Sequence, residues 1–310
     1  MKRLRYIFLF GIVLLLFSCK KFSGSQEIPA YLKIEPWSLT TNYEIEGAAT
    51  EAITDAWVYI DGNYLGCYEL KSHDDGLYAM APILEKGEHK IRLYPGIKLN
   101  GMASTRIQYP FYKPYEFRHT LVPGEIGTVA PTTTYYSIDS TLVRFKTEAC
   151  EDFENINTIK IFRMDTTCAA LEQISHRTDP NAWMDPLDTL NRFRSGHVHI
   201  GDSIRNMGLV SAQLTGLPTV GNYVLMEMDY KCSAEILVGL YLWTPQNGGM
   251  YKDLYYLKAT DTWKKVYLNY SPIITENYNA SFVKFYLESS VNEGESADFY
   301  FDNIKLIYVE

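Results

Sequence analysis

The stretch EILVGLYLW, Glu235–Trp243, alternates strictly: Ile236, Val238, Leu240 and Leu242 fall on one side, and Glu235, Leu237, Gly239, Tyr241 and Trp243 on the other. A period of two is that of a strand with one face turned to a core. The preceding YVLMEMDYKC, Tyr223–Cys232, repeats it, with Val224, Met226, Met228 and Tyr230 set against Glu227, Asp229 and Lys231. Two later stretches carry the same mixed face, Lys265, Tyr267 and Asn269 in one and Lys284, Tyr286 and Glu288 in the other. Further out, AWVYIDGNYLGCYEL, Ala56–Leu70, places Asp61-Gly62 between two alternating runs. That is a hairpin signal, because Asp and Gly tolerate the positive φ of a tight turn. EKGEHKIRLYPG, Glu85–Gly96, repeats the logic around Gly87. Strand after strand of aromatic and β-branched residues, broken by Gly, Pro, Asn and Asp, makes all-β the expected fold class.

At 310 residues the chain exceeds one typical domain, and two are expected. The formal net charge is −8 at pH 7 and no basic stripe interrupts it, which argues against a nucleic-acid partner. The only charges in Met1–Ser18 are Lys2, Arg3 and Arg5, so loss of that segment would leave a still more acidic chain.

Those three charges precede an apolar run, Tyr6–Phe17, which is the layout of a secretory signal. The run is shorter than the roughly twenty apolar residues a membrane-spanning helix needs. Leu16-Phe17-Ser18-Cys19 resembles the lipobox of bacterial lipoproteins. The resemblance implies a signal peptide over 1–18, a lipid-bearing Cys19 at the head of a short tether, 19–27, and membrane attachment through two or three acyl chains. Lys20 follows the Cys where Asp would imply inner-membrane retention, so an outer-membrane lipoprotein of the cell envelope is expected, with its periplasmic or surface orientation left open.

Residues 28–130 form the first expected domain. Ala56–Gly96 within it resembles the PEGA-type, immunoglobulin-like β-sandwich modules. A Pro- and Thr-rich connector is expected over 131–147, and a second domain over 148–310. CEDFEN (Cys150–Asn155), TDTWKKVYLNYSP (Thr260–Pro272) and DFYFDNIKLIY (Asp298–Tyr308) resemble, in order, the opening, middle and closing strands of the galactose-binding-like jelly rolls of carbohydrate-binding modules. This second resemblance implies a structural calcium ion held by Glu151 or Glu154 together with Asp302. The competing reading has Asp302 capping the final turn.

Catalytic motifs fail when tested. GDSI, Gly201–Ile204, resembles the nucleophile motif of GDS-type esterases, but the last His of the chain is His199, so no base follows Ser203. His197 and His199 share a strand face, yet the next Glu is Glu227, too distant in sequence for a cupin-type metal set. No pair among the 37 acidic residues is singled out as a glycosidase pair. No catalytic residue is expected. Beyond Cys19 the cysteines are Cys67, Cys150, Cys168 and Cys232; Cys150 with Cys168 is the plausible local disulfide, and four buried thiols are the alternative.

What remains is a binding face. Aromatic rings beside carboxylates, amides and amines suit sugars, whose ring faces stack while their hydroxyls pair with polar groups. The expected face combines Tyr241 and Trp243 as stacking rings, Glu227, Asp229, Lys231 and Lys284 as hydroxyl partners, and Tyr286 beside them. The resulting expectation is a non-catalytic envelope lipoprotein binding a glycan through its C-terminal jelly roll, as part of a polysaccharide-uptake or degradation system. The alternatives are a structural or adhesive protein contacting other envelope proteins, and a glycoside-hydrolase accessory or weak enzyme.

Overall fold

The computed structural model describes residues 27–136, 143–184 and 192–310. The signal segment and Cys19 lie outside the described residues. No helix among the described residues is long and apolar enough to cross a membrane.

The chain is all-β. Its first half contains β1 (Ala30–Ile34), β2 (Ser38–Thr40), β3 (Asp55–Ile60), β4 (Asn63–Glu69), β5 (Lys71–His73) and β6 (Gly76–Ile83). It continues with β7 (Gly87–Lys98), β8 (Arg106–Gln108), β9 (Tyr115–Leu121), β10 (Ile126–Val129) and β11 (Thr132–Thr134). One sheet runs β10-β1-β6-β5 and a second β4-β3-β7-β8, with β9 also on β7. Leu32 and Ile34 of β1, Ala79 and Ala81 of β6, Val58 of β3 and Leu93 of β7 meet in one core, as alternation requires. The Asp61-Gly62 hairpin forms as expected: Ile60 pairs with Asn63, and both turn residues have positive φ, 49° and 87°.

The second half contains β12 (Val143–Phe145), β13 (Ile161–Arg163), β14 (Glu172–Ser175), β15 (Arg194–Ile200), β16 (Asn206–Ser211) and β17 (Val224–Cys232). β18 (Ile236–Thr244), β19 (Gly248–Leu257), β20 (Thr260–Asn269), β21 (Phe282–Ser290) and β22 (Ala297–Val309) complete it. A six-stranded sheet, β14-β15-β22-β17-β20 with β12 on β22, packs against a five-stranded sheet, β13-β16-β21-β18-β19. Val224, Met226 and Met228 of β17 and Phe299 and Phe301 of β22 face Val238 and Leu240 of β18 and Phe285 and Leu287 of β21 across a buried apolar core.

The described parts of the segment expected as a connector are built into the fold. Thr132–Thr134 pairs in parallel with Ser38–Thr40, and Val143–Phe145 pairs antiparallel with β22. Pro and Thr there mark short edge strands, which tolerate them. The two halves also share a core, since Leu225, Tyr267 and Ile307, on the outer face of the six-stranded sheet, pack into the hydrophobic cluster of the first sandwich. The first sandwich therefore covers that sheet.

Candidate functional site

The face expected from the sequence divides between two surfaces. β17 and β18 are consecutive but belong to different sheets, so the outer residues of one look away from the outer residues of the other. Ser233–Glu235 carries the chain across. Glu227, Asp229 and Lys231 lie on the six-stranded sheet; Tyr241, Trp243, Lys284 and Tyr286 lie on the five-stranded one.

Glu227 is 0% exposed, and Asp229 is also buried, so neither can meet a glycan. The Glu227 carboxylate accepts from the hydroxyls of Tyr109 and Tyr135 in the first sandwich, and Lys265 Nζ of β20 lies 3.0 Å from its Oε2. Asn303 Nδ2 donates to Asp229 Oδ2 at 2.9 Å. Lys265 also donates to Thr50 Oγ1 at 2.9 Å, and Lys305 Nζ to the Ala48 carbonyl at 2.6 Å. Burial alone would raise the Glu227 carboxyl, but Lys265 and then Lys305 outweigh it and hold it below the ordinary carboxylate range. Lys305 is pushed down to about 8 by burial, with Lys265 adding to the effect. These residues form an interdomain polar lock. Lys231 stands outside it, half-buried, with Nζ 2.7 Å from Asn181 Oδ1.

The residues expected to hold calcium are also committed elsewhere. The Glu151 oxygens accept from the backbone N–H groups of Phe153 (2.7 Å) and Lys160 (2.6 Å). Glu154 accepts from Arg194 N, and Asp302 from Ser195 Oγ and Asn303 N. Burial, with Asp229 and Glu154 adding to it, raises the Asp302 carboxyl far above its usual range, which favours the neutral acid. Calcium requires six to eight oxygen ligands. Among the described residues no three His, Cys, Asp or Glu side chains gather as a metal-holding group. The expected Cys150–Cys168 bond is absent as well, because Cys67, Cys150, Cys168 and Cys232 are all free thiols.

The outer face of the five-stranded sheet remains open. Along β18 the inward Ile236, Val238, Leu240 and Leu242 fill the core, which turns Tyr241 and Trp243 outward, as their alternation predicts. Tyr241 sits between Tyr251 of β19 and Lys284 of β21, and Trp243 between Gly249 and Phe282. Trp243 is 43% exposed and its ring lies parallel to that of Phe282, at 6.3 Å and 2°. Tyr241 meets Tyr251 edge-on at 5.0 Å, and Tyr251 meets Tyr286 edge-on at 5.4 Å. Two glycines seat these rings. A Cβ at Gly249 would meet the Tyr241 hydroxyl at 2.0 Å, and one at Gly239 would meet the Tyr286 hydroxyl at 2.4 Å. Tyr286 thus lies flat and buried, its hydroxyl donating to Asp253 Oδ1 at 2.5 Å, so it supports the face rather than presenting a ring.

At the Tyr251 end of this row, where the Tyr251 hydroxyl lies 3.9 Å from Met164 Sδ, a cleft of about 650 Å³ is lined by Met164, Asp165, Gly208, Leu237, Tyr256 and Glu288, among others. Burial, with Asp253 nearby, raises the Glu288 carboxyl above its ordinary value. Tyr251, Asp253, Tyr256 and Phe282 escaped the sequence reading. The β19 stretch YKDLYYL is rich in rings, but its alternation breaks: Gly239 pairs with Asp253 while Val238 pairs with Tyr255, a bulge that shifts Tyr256 back to the outer face.

No protein-family profile matches the chain. No curated protein matches it. Solved structures do resemble it. One, from work on promiscuous specificity among carbohydrate-binding modules of the β-sandwich superfamily, is 13% identical over 83% of this chain and 86% of its own, with a TM-score of 0.35. The family 11 carbohydrate-binding module from Clostridium thermocellum, in complex with a β-1,3-1,4-mixed-linked tetrasaccharide, is 15% identical over 51% of this chain and 94% of its own, with a TM-score of 0.32. A xylan-binding domain of family 22 is 13% identical over 52% and 92%, with a TM-score of 0.34. Similarity this distant assigns the chain to no family, and its fold class rests on the strand pairing itself.

Proposed function

We propose that the protein binds carbohydrate, without catalysis, through the outer face of its five-stranded sheet, and does so as an outer-membrane lipoprotein anchored at Cys19. The observation that carries the binding reading is the row of rings on that face, Trp243 with Phe282 and Tyr241 with Tyr251, beside an open cleft. Rings held side by side present apolar planes to sugar faces, while Lys284, Asp253 and Glu288 supply polar groups along the same surface. The first sandwich serves as a spacer that also seals the other sheet. The charge, apolar run and Cys at the amino terminus support the anchor.

A glycan array probed with the protein identifies the sugar, and calorimetry on the best ligand measures the site. Trp243→Ala and Tyr241→Ala are each expected to weaken binding severalfold or more, since a stacking ring contributes about 1 kcal/mol and 1.4 kcal/mol is tenfold. Unchanged affinity in both folded variants would shift the reading to a protein-contact or structural role. For the anchor, Cys19→Ala is expected to leave the chain unprocessed or released from the membrane, with mass spectrometry of the wild type showing acyl chains on Cys19.

A further inference from the structure

We infer that the end of the first sandwich around Ile28 rests on the surface of a lipid bilayer, an inference that builds on the Cys19 anchor. Three large apolar side chains stand largely in solvent there, Ile28 (63% exposed), Ile126 (61%) and Leu84 (55%), with Val122 beside them. The topology gathers them. Ala30 pairs with Ile83, which puts Leu84 next to Pro29, and Tyr31 pairs with Ile126 on the other side of β1. The Gly124 N–H donates to the Pro29 carbonyl at 2.9 Å, which folds the turn after Val122 against Ile28. A Cβ at Gly124 would lie 3.7 Å from Ile28 Cγ2. A cluster of aliphatic side chains left open on a soluble domain marks a contact surface.

The position of the patch in the chain names its occupant. Cys19 precedes Ile28 by so few residues that even a fully extended tether, at about 3.5 Å per residue, holds the patch within about 30 Å of the lipid. The patch surrounds the entry to β1 at Pro29, so it is the part of the fold that follows the tether directly. Its rim carries Glu27, Glu85 and Glu125 against Lys86, a balance suited to zwitterionic rather than anionic headgroups. The opposite end of the same strands meets the second sandwich. β10 leads through β11 to Tyr135, which binds Glu227, and β1 leads through β2 toward Ala48, which binds Lys305. A bilayer under Ile28 therefore leaves the ring-bearing sheet held away from the membrane by the length of the first sandwich.

The test uses full-length processed protein, shown by mass spectrometry to carry lipid on Cys19, in phosphatidylcholine and phosphatidylethanolamine vesicles with brominated acyl chains. Leu84→Trp adds fluorescence at the patch, and Leu77→Trp adds it at an exposed site toward the far end of β6. The fluorescence added by Leu84→Trp over the wild type is expected to be quenched at least twofold by brominated lipid, and that added by Leu77→Trp to be unaffected. Equal quenching at both positions, or none at Leu84→Trp with lipid present on Cys19, overturns the inference while leaving the anchor intact. A chain without lipid on Cys19 overturns both. Self-association of the protein that Ile126→Ser abolishes would assign the patch to a second copy and overturn it too.

Discussion

On the six-stranded sheet of the second sandwich Glu227, Asp229 and Lys265 are sealed beneath the first sandwich, whereas on the five-stranded sheet Tyr241, Trp243 and Tyr251 face solvent. In sequence the two outer faces look alike, each mixing rings with charges at alternate positions. In the fold they differ in how those groups are matched. On the sealed face Glu227 is partnered by Lys265, Tyr109 and Tyr135, Asp229 by Asn303, and Lys305 by the Ala48 carbonyl. Such matching is required where water is excluded, because an unpaired buried charge is far costlier than an exposed one. On the open face ring meets ring, and Lys284 and Glu288 keep contact with water. Matched polar groups thus mark an interface, and rings left in solvent mark a site that awaits a ligand.

The sealed face is broken most severely at Glu227. Glu227→Ala leaves Lys265 buried without its closest charged partner, deprives Lys305 of a compensating charge, and takes the acceptor from two tyrosine hydroxyls. The expected loss in urea denaturation is about 3–5 kcal/mol, the usual cost of removing one member of a buried pair. A loss below about 1 kcal/mol would mean that the polar lock does not hold the two sandwiches together.

Lys305 gives a smaller, pH-dependent effect. Its folded value of about 8 lies below the ordinary 10.5, so between those values the unfolded chain binds more protons and stability rises with pH. Glu227, held low, stays ionised throughout this window. Lys265, held high, loses its contribution only above it. Cys150, which faces Lys305, and the buried tyrosines titrate in the opposite sense, so the measurement is the difference between wild type and Lys305→Met, both in a Cys150→Ala background, in which the tyrosine contributions cancel. That difference is expected to move in favour of the wild type by about 2 kcal/mol between pH 7.5 and 9.5. A flat difference would place the Lys305 ammonium in contact with water.

Much of this was legible in the sequence. The alternation of β17 and β18 identifies the inward residues of both, and Asp61-Gly62 marks its hairpin. Alternation assigns a residue to one of two faces, but it does not say which sheet a strand joins, and the short crossover at Ser233–Glu235 carries no signal of the switch. Glu227 and Trp243 therefore read as neighbours although they lie on opposite surfaces. Bulges defeat the pattern for the same reason. Asn303, at φ 49°, interrupts the pairing of β17 with β22, so Asp229 pairs with Asp302 and Glu227 with Lys305, a register that no regular period foretells. Nor does local sequence report that Tyr109 and Tyr135, about a hundred residues away, supply the hydroxyls that make a buried Glu227 tolerable.

The smallest expected effect on stability is the sharpest test of the open face. Gly249 lies on the edge strand β19, and the atoms a Cβ would meet there belong to the far end of the Tyr241 ring. A flexible side-chain end can swing aside, so Gly249→Ala is expected to change stability by less than about 1 kcal/mol. The ring, however, loses its seat and tilts away from Tyr251. If sugars bind to rings laid along this sheet, Gly249→Ala should weaken the glycan identified on the array about as much as Tyr241→Ala does, although the phenol is still present. Gly239→Ala provides the contrast, since its Cβ would meet the Lys252 carbonyl at 2.4 Å and backbone cannot swing aside. That variant should lose stability as well as affinity. Wild-type affinity in Gly249→Ala, measured by calorimetry on the folded protein, would show that the position of the Tyr241 ring is not part of the binding face and would leave Trp243 with Phe282 as its remaining platform.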